Sequence, residues 1–328
     1  MAITALTRRS ALLGLSGLAS TQLASVAGAQ QGRTVRLVVP AAPGGAIDVI
    51  GRLYAERVKD SLGQTWVVEN RSGANNTLGA AVVAHAQPDG STLLTNADIH
   101  LMAKHVMKDV PYDPIADFAA VSRLATSPMV FVGHPGRTPA NLKALAEEMT
   151  ATPKKHAFAN SALGAMGHLA TESFKLRIGA STLVVSYRGT GPAIADVVSG
   201  QTSLMVAPVG SALQQIEAGS LRAFAIMSEQ RSPQLPAVPT IGEAGFPGLT
   251  FMLWYGLWGP KGMPPDMVAQ LNAAVQTASK NPELVQKLRA LGAEPVTEPA
   301  AAFASFLTAE AARSGKLARE AGITPSAN

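Results

Sequence analysis

The residues whose types and spacing best fit a chemical role form a glycine loop near the start of the chain. An apolar, β-branched run at residues 35–39 predicts a buried strand, Gly44 and Gly45 follow it, and helical apolar spacing begins at Ile47. Strand, glycine loop and helix start together direct backbone N–H groups and the positive end of the helix dipole at one spot, which favours a carboxylate or a phosphate. Asp48 in the first helical turn can cap free N–H groups there. The same residues also fit an ordinary βα turn with a cap, so the loop alone leaves both interpretations open.

Further polar loops follow the other predicted strands. They occupy residues 69–79, 96–98, 160–168 and 188–192. In parallel sheets, ligands lie in the crevice beyond the carboxyl ends of the strands, where such loops meet. The sequence therefore predicts a small-molecule site that several loops build together.

The common catalytic patterns are missing from the sequence. It contains no cysteine, no G-x-S-x-G elbow, no H-E-x-x-H metal pair and no Walker loop, and its six histidines are scattered. Residues 189–194 begin like a dinucleotide fingerprint but lack the third glycine or alanine at its place. These absences argue against an enzyme, a metal site or a bound cofactor, and they favour capture of a small anion.

The loops are set within alternating predicted strands and helices. Strands are predicted at residues 66–68, 91–95, 129–132, 156–159 and 183–187, with helices between them. This βαβ order predicts an α/β fold with a mainly parallel sheet flanked by helices. Pro192 is expected at the first position of a helix that runs to Ser199.

The alternation forms two similar α/β blocks, which we call lobe 1 and lobe 2. An apolar strand at residues 251–258 is expected to return the chain to the first block, where three helices with a period of 3.6 residues complete it. The predicted division is residues 32–131 plus 253–328 for lobe 1 and residues 132–252 for lobe 2. The mature protein is expected to be a monomer.

Residues 1–29 predict an export signal. Arg8 and Arg9 form a basic start, residues 11–26 are small and apolar, and an A-x-A cleavage site ends at Ala29. Polar residues such as Ser16 and Thr21 interrupt the apolar stretch, so a membrane span is not expected. The twin-arginine match is loose, and the general secretory route stays open.

Composition narrows the function classes further. The chain has 328 residues, of which 47% are hydrophobic, 15% charged and 5% aromatic, so neither a disordered protein nor an aromatic-rich nucleic-acid surface is indicated. The formal charge of +5 falls by two when Arg8 and Arg9 leave with the signal. Because an exported chain without cysteine has no disulfides, its fold must rest on packed cores.

Eight short motifs, in order along the mature chain, resemble the solute receptors of tripartite tricarboxylate transporters, the Bug or TctC family. They are Pro43-Gly44-Gly45-x-x-Asp48, Glu69-Asn70-Arg71-x-Gly73-Ala74, Pro88-Asp89-Gly90-x-Thr92-Leu93-Leu94, Tyr112-x-Pro114-x-x-Asp117-Phe118, Gly164-x-x-Gly167-His168-Leu169-Ala170, Tyr187-Arg188-Gly189-Thr190-Gly191-Pro192-Ala193, Leu235-Pro236-Ala237-Val238-Pro239-Thr240-x-x-Glu243-Ala244-Gly245 and Trp254-x-Gly256-Leu257-x-x-Pro260. The resemblance implies a two-lobed, type II-like periplasmic binding protein fold. It also implies a periplasmic receptor that closes on a small organic acid and delivers it to membrane permease subunits.

The resemblance further implies which residues hold the ligand carboxylate, partly through ordered waters. The predicted ligand-binding residues are Pro43, Gly44, Gly45, Asp48, Asn75, Asn96, Gly164, Ala165, His168, Tyr187, Gly189 and Pro192. Tyr187 and Pro192 also fit strand-end packing, and His168 fits helix capping at least as well as ligand contact.

Three departures from the family pattern bear on the ligand. Ala41 stands where the family usually has an aromatic residue, Ile47 where it has threonine or asparagine, and Ala165 where it has serine. These differences predict a wider and more apolar pocket, suited to an aromatic or longer-chain carboxylate better than to a small dicarboxylate.

A receptor-fold sensor that passes its bound state to a signalling partner is the alternative function. Neighbouring genes for a large and a small membrane subunit would favour transport, whereas a neighbouring sensor kinase gene would favour signalling.

Overall fold

The computed structural model describes residues 32–187 and 189–325, and the export signal predicted for residues 1–29 lies outside them. Ten strands of the described residues form one mixed sheet. They are β1 (Thr34–Val39), β2 (Thr65–Asn70), β3 (Thr92–Ala97), β4 (Phe118–Gly133), β5 (Ala157–Asn160), β6 (Leu183–Ser186), β7 (Leu204–Pro208), β8 (Arg222–Ile226), β9 (Met252–Pro260) and β10 (Glu294–Pro295).

Helices flank the sheet and connect most of its strands. They are α1 (Ala46–Leu62), α2 (Thr77–Ala84), α3 (Ile99–Val106), α4 (Leu142–Ala151), α5 (Met166–Ile178), α6 (Thr190–Ser199), α7 (Val209–Glu217), α8 (Pro265–Ala278), α9 (Pro282–Ala290) and α10 (Ala300–Glu320), with one 3₁₀ turn at Pro153–Lys155. Helix α1 ends where predicted, because Gly63 adopts a left-handed conformation with φ 61° and its N–H bonds the carbonyl of Lys59.

Strand β4 joins two groups of strands. Its first part pairs with β9, which pairs in turn with β3, and β1 lies between β3 and β2; we call these strands with β10 the first strand group. Its last residues, from Met129 to Gly133, pair with β7 and β8, and β7 leads on to β5 and β6; these form the second strand group.

Pairing is parallel inside the βαβ units, as the alternation predicts. The parallel pairs are β1–β2, β1–β3, β5–β6 and β5–β7. Strands β4, β9 and β10 pair antiparallel, because these segments run back across the sheet instead of following a crossover helix.

Two expectations about individual elements need correction. Pro192 is the third residue of α6 and not the first, since the helix already begins at Thr190 after Gly189, whose φ of 115° suits glycine. The strand expected at residues 129–132 is the end of the sixteen-residue β4. Polar residues such as Ser122, Arg123 and Ser127 break the apolar pattern of its first part, although the backbone there pairs with β9.

The closing helices complete the core beside the first strand group. Helix α10 packs on β4 and α3, and α8 packs on α1 and β4. Phe303 of α10 is fully buried, with its ring centroid 5.5 Å from that of Trp258 and 6.1 Å from that of Trp254. These three rings anchor α10 on strand β9. Among the described helices, none combines the length and apolar character that crossing a bilayer requires.

Candidate functional site

A cavity of about 830 Å³ lies between the two strand groups, at the carboxyl ends of β1, β3, β5, β6 and β7. This volume is within the usual range of small-molecule sites. Residues from the N-terminal ends of six helices line it: Gly45, Ala46 and Ile47 of α1, Asn76 of α2, Asp98 and Ile99 of α3, Ala165 and Met166 of α5, Thr190 and Gly191 of α6, and Pro208 and Ser211 of α7. Each such end carries unpaired N–H groups and a partial positive charge, so the wall favours an anion.

The turn before α1 is held from behind by a buried carboxylate. Gly44 has φ 81°, and its N–H donates to the Asp48 carboxylate at 2.9 Å. Asp48 also accepts from Arg52 Nε at 3.0 Å and from Asn70 Nδ2 at 2.9 Å. Asp48 is therefore fully engaged in fixing the loop. The N–H groups of Ala46 and Ile47 have no acceptor among the described residues and remain available to a ligand.

The surroundings of Asp48 keep it ionised. Burial alone would raise the pKa of this carboxyl, but the hydrogen bonds from Arg52, the Gly44 N–H and Asn70 outweigh burial and hold the pKa below its ordinary value. An ionised acceptor behind the loop stabilises the geometry of the glycine turn.

The turn before α5 repeats this arrangement in the second strand group. Gly164 has φ 76°, and its N–H donates to Nδ1 of His168 at 3.1 Å, four residues on. Nδ1 is thus an acceptor, so His168 is neutral with its proton on Nε2. Burial lowers the pKa of His168, which favours this neutral form. His168 holds the turn before α5 as Asp48 holds the turn before α1.

A carboxylate from the first strand group reaches the start of α5. Asp98 Oδ2 accepts a hydrogen bond from the Met166 N–H at 2.9 Å, and the residue is only 5% exposed. Burial raises the pKa of Asp98 to about 7, an effect that the Met166 hydrogen bond opposes and nearby Glu310 reinforces. Among the described residues that line the cavity, Asp98 is the one carboxylic acid and none is Lys, Arg or His.

Asparagines shape the wall at the start of α2. Three consecutive residues, Ala74, Asn75 and Asn76, have positive φ values of 44°, 52° and 70°. Asn75 Nδ2 reaches the carbonyl of Leu163 at 3.4 Å, so it spans the two strand groups. Asn76 Nδ2 donates to Oδ1 of the buried Asn96 at 3.2 Å.

The predicted site residues fall into two sets. Gly45, Asn75, Ala165, Tyr187 and Gly189 line the cavity, as do the three departures Ala41, Ile47 and Ala165. The other predicted residues lie beside or behind the wall: Pro43, Gly44, Asp48, Asn96, Gly164, His168 and Pro192. Tyr187 lines the cavity, and its hydroxyl group donates a hydrogen bond to the Asp196 carboxylate of α6. The side chain therefore packs at the strand end and also faces the cavity.

Sequence reasoning did not select Asp98 as a site residue. Asp98 belongs to a polar stretch that follows a predicted strand, a signal that marks it as a candidate. Its contact with Met166 joins residues 68 positions apart, which no local pattern in the sequence reports.

The described residues offer no stronger candidate for a binding site elsewhere. A depression of about 720 Å³ lies beside α4, lined by residues such as Lys143, Glu147 and Phe246, and none of the predicted site residues is among its lining residues. No group of three His, Asp or Glu side chains within the described part of the chain is arranged to hold a metal ion.

Known proteins resemble this chain over most of its length. A model of the tripartite tricarboxylate transporter family receptor (TctC) matches residues 50–323. Protein BugT of Bordetella pertussis is 36% identical over 292 residues, which cover 88% of this chain and 90% of BugT.

Solved structures show the same fold. An R. palustris protein solved with adipate is 34% identical with a TM-score of 0.81, over 90% of this chain and 99% of that one. MatC from Rhodopseudomonas palustris, solved with bound malate, is 32% identical with a TM-score of 0.77, over 87% and 99%. The α/β periplasmic binding protein fold expected from the motifs is confirmed. The chain belongs to the tripartite tricarboxylate transporter receptor family, a family of periplasmic substrate-binding receptors and not of enzymes.

Proposed function

We propose that this receptor captures an organic acid by its carboxylate in the cavity between the strand groups and delivers it to the membrane subunits of a tripartite tricarboxylate transporter. The observation that carries the proposal is the convergence of six helix N-termini on a wall whose described residues include no cationic side chain. Backbone N–H groups then supply the binding energy, and a hydrogen bond to a charged group contributes about 1.5–3 kcal/mol.

The carboxylate position that we propose lies between α1 and α6. Ala46 and Ile47 present free N–H groups from the first strand group, and Thr190 and Gly191 present theirs from the second. Ordered waters complete the contacts, as the family resemblance implies. A water that bridges two polar groups is nearly as favourable as a direct hydrogen bond, because immobilising it costs little entropy.

Capture by closure of two lobes is part of the proposal. Lobe 1 comprises residues 32–131 plus 253–328 and lobe 2 residues 132–252, joined through β4 and the chain entering β9. Pro128 supports a bend at this place, because it lies where β4 passes from one strand group to the other and it has no N–H to donate to the sheet. Hinge motion about two such crossings is a common way to enclose a ligand.

We propose an aromatic or medium-chain acid as the ligand class. Ala41, Ile47 and Ala165 all lie on the cavity wall, where they present apolar groups and no hydroxyl. An apolar ligand body buried against them contributes about 25 cal/mol per Å². The relatives solved with adipate and malate support an organic acid in general.

The remaining proposals concern the setting of the receptor. The signal is removed near Ala29, the mature protein acts as a monomer in the periplasm, and the partner is the permease of the same transporter type. Neither a cofactor nor a metal is required for binding.

Native mass spectrometry of protein purified from the periplasm tests the function. We expect a retained small acid, identified by its mass after denaturation, together with a rise in melting temperature when that acid is added back to stripped protein. A protein that retains no acid and shows no thermal shift with a broad panel of carboxylates would contradict the proposal.

A further inference from the structure

Two turns with the same backbone geometry face the cavity, one from each strand group. Gly45 before α1 has φ −72° and ψ 163°, and Ala165 before α5 has φ −66° and ψ 160°. Each turn has a left-handed glycine one residue earlier, whose N–H bonds the side chain four residues on. The two helix starts are therefore equivalent positions for an anion.

The two positions differ in what occupies them. At α1 the N–H of Ala46 has no acceptor among the described residues. At α5 the equivalent N–H, that of Met166, donates to Asp98 Oδ2 at 2.9 Å. A carboxylate of the protein thus stands where a ligand carboxylate would bind on the second turn.

Asp98 is built into this place. Its residue is 95% buried, it is the N-cap residue of α3, and it lines the cavity beside Ile99 and Met166. The Met166 N–H donates to the Asp98 carboxylate at 2.9 Å, and the N–H groups of Ile99 and of Asp98 itself also act to lower its pKa. Among the described residues, no Lys, Arg or His contributes to the pKa of Asp98, and none lines the cavity beside it. A second carboxylate placed here would meet an uncompensated like charge at close range, which is strongly unfavourable in a partly desolvated site.

We propose that Asp98 is a specificity-determining residue that fills the second anion position, so that the receptor selects acids with a single carboxylate and rejects dicarboxylates of the same length. The inference rests on the proposed carboxylate-binding function and names its substrate class. It is independent of the three apolar wall residues, because it depends on one hydrogen bond and one charge.

Matched pairs of acids test the inference by isothermal titration calorimetry. The probes are hexanoate with adipate, and benzoate with terephthalate, at about pH 8, where a carboxyl with a pKa of about 7 is ionised. The proteins are the wild type, Asp98→Asn and Asp98→Ala. Asparagine keeps the size of the side chain and an oxygen for the Met166 N–H, whereas alanine frees that N–H. Asp266→Asn, an exposed carboxylate in the first turn of α8, is the matched control.

The measured quantity is the ratio of the dicarboxylate Kd to the monocarboxylate Kd. We expect a large ratio in the wild type and in Asp266→Asn, and a ratio at least about tenfold smaller in both Asp98 variants, which corresponds to about 1.4 kcal/mol. Equal ratios in all four proteins would overturn the inference while leaving carboxylate capture intact. Tight adipate binding by the wild type, accompanied by uptake of a proton, would also overturn the inference. Asp98 would then be protonated on binding and would not exclude the second carboxylate. If the wild type bound none of these acids, the proposed function itself would be overturned.

Discussion

At the scale of single residues, the site depends on backbone groups that side chains hold in position. Asp48 and His168 do not face the ligand cavity, yet each accepts the N–H of a left-handed glycine and so fixes the turn that does. Substitutions in the wall and substitutions behind it should therefore differ in their effects on binding and on stability.

Gly45→Val tests the wall at α1. The φ of −72° and ψ of 163° suit a β-branched residue, and an added Cβ would come no closer than 3.4 Å to the Ala42 carbonyl oxygen, so the fold should persist. The branched side chain would occupy space beside the free N–H groups of Ala46 and Ile47. We expect a loss of affinity of at least about tenfold for the retained acid by calorimetry.

Gly242→Val is the control for this change, because Gly242 lies in an exposed turn where a Cβ would meet nothing closer than 3.8 Å. It should leave affinity unchanged. Binding by Gly45→Val within about threefold of wild type, or about 0.7 kcal/mol, would show that this loop does not hold the anion.

Asp98 should make stability depend on pH. Burial raises its pKa from 3.8 to about 7, so the folded protein binds this proton more tightly than the unfolded chain does. The free energy of unfolding should then fall as pH rises from about 4 to about 7, by at most about 1.4 kcal/mol per pH unit from this group. Glu310 of α10 and Tyr255 of β9 are the ionisable groups that interact with it.

Urea denaturation of the wild type and of Asp98→Asn across this range provides the measurement. The difference between the two proteins should change steadily from about pH 4 to about pH 7 and then level off. Parallel stability profiles would show that the pKa of Asp98 is close to its ordinary value.

Residue roles were only partly predictable from the sequence. Gly45 was recognisable as a candidate because it stands between a predicted strand and a helix start, although an ordinary βα turn fits the same pattern. Asp98 was not selected, although it follows a predicted strand, because its importance comes from Met166, which a different part of the chain supplies.

At the scale of elements, the βαβ units were predictable and the crossing strands were less so. Strands β1, β3 and β5 are short and apolar, so periodicity identifies them. Strand β4 contains Ser122, Ser127 and Pro128, which interrupt its apolar pattern, and β10 has only two residues. Both are strands because of the neighbours with which they pair, and no local sequence pattern shows those neighbours.

A contact between two elements across the cavity gives a test of closure. Gly210 near the start of α7 lies against the turn after α9, and a Cβ added to it would fall 2.0 Å from the Leu291 carbonyl oxygen. Because backbone cannot yield as a flexible side chain can, Gly210→Ala should push the two strand groups apart. We expect weaker ligand binding with an otherwise intact fold.

Small-angle X-ray scattering would check this expectation. Gly210→Ala with ligand should have a larger radius of gyration than liganded wild type, while Gly242→Ala, in its open turn, should match the wild type. An unchanged radius and unchanged affinity would mean that this contact has no part in closure.

At the scale of the whole molecule, helix N-termini give the described part of the cavity wall a positive field without cationic side chains, which fits the proposed capture of an anion. Helix N-termini from both strand groups converge on one cavity, and its described lining residues include one carboxylic acid and no base. The sequence predicted the convergence of loops at strand ends from general α/β geometry. The two-lobed architecture came from the family motifs, because two similar blocks can pack in several ways.

A crystal structure of the protein with its retained acid tests the central claim most directly. The account predicts a ligand carboxylate at hydrogen-bond distance, directly or through one water, from the N–H groups of Ala46 and Ile47. It also predicts Asp98 still bonded to Met166. A ligand bound beside Lys143 and Phe246, or one whose carboxylate lies away from every helix N-terminus, would contradict the account.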